Sequence, residues 1–312
     1  MALATITIWS FSFLFIVKLN RELTPLGVVS VRMDIFALFV AALWIWRRPK
    51  LRDLTRREWI IVGGLALVGG PLYHNVFSWS AGVGADGASR IDPALLGLIL
   101  ATVPVHTGWL ARVFLSEPLG RKQLAALTLG FVGVAAVIIG RSHGVGALDP
   151  TRLEGPAAAV VAAMLGGGIA VLTRGARTIY RPADLAAVCG AGMVILQLLL
   201  HPWSHLERVT NMTAAGWGAA LFLGFFGLGV AFLTWASALA GLPAVIAAMY
   251  LFLASVLAAL WGWLFDATPI GWPFAIGATL VLSGLLVMAW SGGRPGRAGT
   301  GRPTIRARPG SA

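Results

Sequence analysis

Polar side chains set inside long apolar stretches are expensive to place there, so the few that occur are the first place to look for chemistry. In this chain they are Arg32 and Asp34, the run Tyr73-His74-Asn75, and His106, with Trp235 and Tyr250 as surfaces for a flat or apolar solute. Arg32 and Asp34 are two residues apart, about 200° around a helix, so one cavity does not receive both. Arg32 reads either as a cavity or gating residue or as an anchor whose long stem reaches the interface. Asp34 reads either as a proton-linked carboxylate or as half of an interhelical ion pair. His74 and His106 either titrate near neutrality beside a substrate or simply hydrogen-bond a neighbouring helix. Pro104, two residues before His106, leaves backbone carbonyls free to meet a solute. No metal or cofactor is expected: the one cysteine, Cys189, lies in an apolar run, and neither a phosphate-cradling Gly-x4-Gly-Lys-Ser/Thr loop nor His-Glu-x-x-His occurs.

The elements that position these residues follow from composition. Of 312 residues, 58% are hydrophobic and 12% charged, against roughly 25% charged in a soluble domain. A membrane span needs roughly 20 apolar residues, and that ruler places helices near 3–19, 27–46, 58–80, 93–114, 120–140, 154–173, 184–201, 214–236, 243–264 and 270–290. The expected fold is therefore all-α and integral to the membrane, with ten transmembrane helices. The first segment lacks the basic start and small-residue cleavage site of a signal peptide and is expected to stay as a span. The region from Pro71 to Asp92, with the Gly-rich run 81–89, is expected to hold a broken helix or a longer loop. Residues 292–312, rich in Gly, Pro and Arg, are expected to form a disordered basic cytoplasmic tail.

The net charge of +12 sits in connectors and tail, not on a nucleic-acid-binding surface, so no nucleic-acid partner is expected. Alternate connectors hold Arg47, Arg48, Lys50, Arg52, Arg56, Arg57, Arg121, Lys122, Arg174, Arg177 and Arg181, and the tail adds five arginines. The remaining connectors hold Lys18, Arg21, Arg90, Arg141, Arg152 and Arg208. Basic connectors stay inside, which implies a multi-pass cell (inner) membrane protein with both termini cytoplasmic.

The chain also repeats. Residues 101–117, ending in Glu117, resemble residues 250–266, ending in Asp266, and the helices that follow carry Ala126 and Gly133 in one copy, Gly277 and Gly284 in the other. Five helices per copy is an odd number, so the copies are inverted: one unit at 1–141, a second at 153–291. Glu117 and Asp266 read as caps at helix starts. The glycines, with Gly166-Gly167-Gly168, read as close helix contacts.

These residues give the chain its likeness to a family. The aromatic first helix Ile8-Trp-Ser-Phe-Ser-Phe-Leu-Phe-Ile-Val-Lys18 with Thr24-Pro25 and Arg32, the Pro104 helix ending Phe114-Leu-Ser-Glu117, Gly133, Gly166 to Gly168 and Phe265-Asp266 resemble the drug/metabolite transporter superfamily, in its ten-helix form with two EamA-like units. It departs in Trp9-Ser10, where Trp-Gly is usual, in Asp266 for Glu, and in lacking a proline within the ninth helix. The resemblance implies a secondary, non-ATP transporter, commonly an exporter of amino acids, nucleobases, related metabolites or drugs, working by alternating access. Its partners would be the lipid bilayer, a small-molecule substrate and, as an open point, protons. It is not expected to be an enzyme. The rival readings are an intramembrane lipid-modifying enzyme using His74 and Asp34, or a non-transporting scaffold.

Overall fold

The computed structural model describes residues 1–19, 22–82, 90–91, 93–141, 153–200, 209–266 and 271–292, and among these the chain is helical with no strand. The Gly-rich run from 83 on, Thr268-Pro269 and the expected basic tail beyond 292 lie outside the described residues, as does the Asp266 side chain.

The helices are α1 (Ala2–Leu19), α2 (Pro25–Arg47), α3 (Arg56–Ser80), α4 (in two pieces, Pro93–Leu100 and Val103–Phe114) and α5 (Arg121–Arg141). The second half holds α6 (Glu154–Ala176), α7 (Pro182–Leu198), α8 (Ala214–Gly241), α9 (Ala244–Asp266) and α10 (Trp272–Gly292). Seven of these are long and apolar enough to cross a bilayer; Ala2–Ile16, Pro182–Leu198 and Trp272–Met288 are shorter apolar helices. The expected spans agree with the helices to within a few residues. The largest departures are α8, which continues five residues past 236 to Gly241, α6, which runs three past 173 to Ala176, and α7, which stops at Leu198, three short of 201.

Local chemistry sets the starts. Thr24 accepts from Gly27 N ahead of Pro25, whose fixed φ suits a first helical position. Thr55 and Glu58 form a reciprocal capping box on α3, and Thr213 accepts from Gly216 N at the head of α8.

Helices from the two halves interleave. α1 packs on α9 and along α8, while α6 packs on α4 and along α3. α2 faces α7, and α5 lies against α10. The α5–α10 seam is the tightest of these. A Cβ at Gly133 would fall 2.7 Å from the Gly277 carbonyl oxygen, one at Gly277 would fall 2.5 Å from that of Gly133, and one at Gly284 would fall 2.9 Å from that of Ala126. Only residues without a side chain allow backbones this close, and such approach replaces hydrophobic drive as the source of helix association in lipid. Around the seam lie Leu127, Val134, Val137, Met249, Phe252 and Val281. A second cluster joins α2, α3 and α7 through Met33, Phe36, Leu65, Leu185 and Met193, and holds the buried free thiol of Cys189.

The acidic corner at Glu117 acts on a different helix from the one that follows it. Its Oε2 accepts from Ala244 N (2.8 Å) at the start of α9, not from α5. Its Oε1 lies 3.5 Å from Arg174 Nε, and Arg174 Nη1 donates to the carbonyls of Leu239 (2.7 Å) and Ala240 (3.3 Å) at the end of α8. Docking of the second half brings a foreign helix start within reach, so one carboxylate and one guanidinium clasp the ends of α4, α6, α8 and α9. At the other end of the bundle, Glu22 accepts from both Thr213 N (2.9 Å) and Thr213 Oγ1 (2.7 Å) at the head of α8.

Candidate transport site

Two helices lose their regular winding midway. In α3 the segment Val68–Leu72, holding Gly69-Gly70-Pro71, adopts π-type turns with Gly70 at φ −94°, ψ −108°. In α8 the segment Phe222–Val230 does the same. Proline removes a donor and widened turns shift the i→i+4 ladder, so carbonyls in these segments need other partners. Asn75 Nδ2 donates to Pro71 O (2.8 Å) and to Gln197 Oε1 (2.9 Å) on α7. Trp9 Nε1 donates to Gly227 O (3.0 Å). The broken segments also press on corresponding neighbours: a Cβ at Gly70 would lie 2.9 Å from Met193 Cα on α7, and one at Gly224 would lie 2.8 Å from Arg32 O on α2.

Around the α3 break the structure gathers most of the residues marked in the sequence. Tyr73 lies edge-on to His74 (centroids 5.1 Å apart) and stacks with Phe77 (6.0 Å). It also touches α6, where a Cβ at Gly166 would lie 3.6 Å from its ring, and His106 abuts the adjoining Gly167, its Cβ 2.9 Å from that position. The Gly166-Gly167 pair thus seats α3 and α4 side by side. Arg32 is buried (7% exposed), and Tyr73 and His74 lie within electrostatic range of its guanidinium. Its Nε has no hydrogen-bond partner, and no ion pair reaches it among the described residues.

Three marked residues stand elsewhere. Asp34 is exposed on α2, on the side that carries Leu38 and Ile45 and away from buried Arg32, as a two-residue separation requires. Trp235 is buried on α8 beside Trp9 (5.4 Å) and packs with Ala170, Val171 and Ala247. Tyr250 is half-buried on α9 and makes no ring contact among the described residues.

Sequence reasoning passed over the polar face of α1 and the amide of Gln197. Thr5 Oγ1 meets Thr234 Oγ1 at 2.8 Å, Trp9 reaches Gly227, and the Ser12 hydroxyl lies against Gly227, a spacing of four and three residues that turns one face toward α8. Ser10 Oγ accepts from Trp261 Nε1 (2.9 Å) on α9, and Phe11 stacks on that indole at 4.3 Å. Gln197, 2% exposed, is the one amide in the apolar run of α7, which was a legible signal.

Comparison with known proteins joins this geometry to a family. The sequence model of the EamA-like transporter family matches residues 1–139 and 154–290. An uncharacterized transporter of Archaeoglobus fulgidus is 23% identical over 91% of this chain and 95% of its own length. A protein of Streptantibioticus cattleyicolor named as a probable terminal-alkyne amino-acid exporter is 25% identical over 86% of this chain and 82% of its own. Protein PecM of Dickeya dadantii is 28% identical over 64% and 66%. A solved crystal structure, 20% identical, superposes with a TM-score of 0.75 over 93% of this chain and 95% of that one, which establishes the shared fold.

Proposed function

The chain belongs to the EamA-like transporter family, and from that premise we propose that this membrane transporter is a secondary exporter of small metabolites, amino acids foremost, working by alternating access. Two inverted five-helix units, residues 1–141 and 153–291, enclose the pathway, all ten helices cross the membrane, and both termini face the cytoplasm.

The observation that carries this reading is the pair of π-wound breaks, one in the third helix and one in the third helix of the second half. Interrupted helices at corresponding places in two halves supply bending points and backbone carbonyls that side chains, rather than the helix itself, reach, as a central site with two-sided access requires. Further support comes from the matched pairings of α1 with α9 and α6 with α4, and from a seam in which the repeat-equivalent residues 126 and 277, 133 and 284, meet each other's partners. The amino-acid emphasis rests on the name of the Streptantibioticus cattleyicolor relative.

Arg32, Tyr73, His74, Asn75 and His106 line the first half of the route, and the α1 face with Trp9 and Trp235 lines the second. Asp34, on the outer side of α2, lies off this route. The test is reconstitution of the purified protein in sealed vesicles loaded with unlabelled amino acids, followed by uptake of labelled ones. Saturable counterflow of chemically unaltered solute is the expected result; vesicles that hold folded protein and exchange none of a broad metabolite set would defeat the proposal.

A further inference from the structure

Resting on the transport reading, we infer that Arg32 grips the carboxylate of the transported solute at the foot of a crevice opening beside Pro25, which makes the substrate a monocarboxylate. The crevice is lined by Ile16, Pro25, Val28, Arg32, Phe77, Ser78 and Ala81. Arg32 is the one cation in that lining, and its buried Nε is left without an acceptor. The unpartnered Nε is one of the donors that a guanidinium uses to hold the two oxygens of a carboxylate in its planar fork.

Depth and charge agree with this assignment. Arg32 lies seven residues from the start of α2, and Tyr73 lies seven from the end of α3, so both sit about 10 Å in from the same end of the bundle. That places them just above the α3 break. At the mouth stands a second arginine: Arg90 lies over the Trp79 ring (4.4 Å) and donates to Trp79 O, and its Nη1 approaches Gly82 together with Pro25. Two arginines along one narrow, low-dielectric passage concentrate an anion there. With a single cation at the foot, charge balance favours a monoanion over a phosphate dianion. The whole crevice holds only about 10 Å³, the lower limit for a single water molecule. The structure therefore holds this subsite contracted, and it must widen when the bundle opens on that side.

The experiment uses full-length wild type, R32K and R32Q in sealed vesicles. Labelled phenylalanine, leucine, benzoate and phenyl phosphate serve as probes, with phenylalaninamide, leucinamide and benzamide as competitors. Wild type should exchange a carboxylate and bind the matching amide at least about thirtyfold more weakly, because a site built for the charged group leaves its donors unpaired on the amide. R32Q should raise KM for the acid by about tenfold or more and narrow the acid-to-amide ratio, with R32K between, since lysine keeps the charge without the fork. Gel filtration and thermal unfolding check that the variants fold; if R32Q does not, the acid-to-amide ratio of wild type and the R32K shift decide. Wild type that takes amides as readily as acids, or prefers phenyl phosphate to benzoate, overturns the inference and leaves transport standing, as does R32Q with an unchanged KM. Wild type that exchanges none of these probes or other metabolites defeats the transport reading itself.

Discussion

A lone amide or carboxylate inside an apolar bundle is informative because it has few places to go. Asn75 bonds both the carbonyl freed at Pro71 and the Gln197 side chain, so it repairs the break and ties α3 to α7 at once. Interhelical hydrogen bonds in membranes average about 0.6 kcal/mol, so a double-mutant cycle of Asn75→Ala and Gln197→Ala, read by unfolding in detergent, should give a coupling of about that size. A coupling near zero would mean the two amides act independently. Glu117 and Arg174 are partly exposed, so Glu117→Gln is expected to lose about 1 kcal/mol, mostly the cap on α9, and Arg174→Gln to add little on top of it. Asp34→Asn is expected to leave both flux and its pH dependence in place; loss of the pH dependence in vesicle uptake would return Asp34 to the coupling role that its sequence setting suggested.

At the scale of elements, helix positions were legible to within a few residues because bilayer thickness dictates a run length that composition cannot hide. The breaks were half legible. Gly69-Gly70-Pro71 carries its own signal, and the break at Val68–Leu72 reaches into the region expected from Pro71 on, but it starts three residues before it and the helix then resumes to Ser80, while 83–89 lie outside the described residues. The break in α8 has no proline, and its Gly224, Gly227 and Gly229 look like ordinary packing glycines until α2 and α1 are seen against them. The target of Glu117 was not legible at all, because α9 reaches it only through the docking of the two halves. Packing along α5 makes a direct test. Gly133→Ala should cost about 2 kcal/mol or more, since a Cβ there meets backbone oxygen that has no rotamer to yield, whereas Gly218→Ala, with open space around it, should be neutral or slightly stabilising. Equal effects of the two in thermal unfolding would contradict the seam.

For the whole molecule, topology is the decisive observable. In a Cys189→Ser background, a cysteine placed at Leu51 should react with a membrane-impermeant thiol reagent only from the cytoplasmic face, and one at Trp272 only from the opposite face; both positions are well exposed. Reaction of both from one side would break the inverted arrangement. If it holds, the α5–α10 seam has a further consequence. Residue 133 touches 277, and 126 touches 284, so each half presents to the other the same surface that it receives. That is the contact rule of a symmetric homodimer, here covalently joined. The seam is self-complementary about an axis in the membrane plane, so one half expressed alone should pair with its own copy through α5 only where the two copies insert in opposite orientations, and changes tolerated at 133 through evolution should be matched at 277, across the contact, sooner than at 284, its counterpart in the repeat.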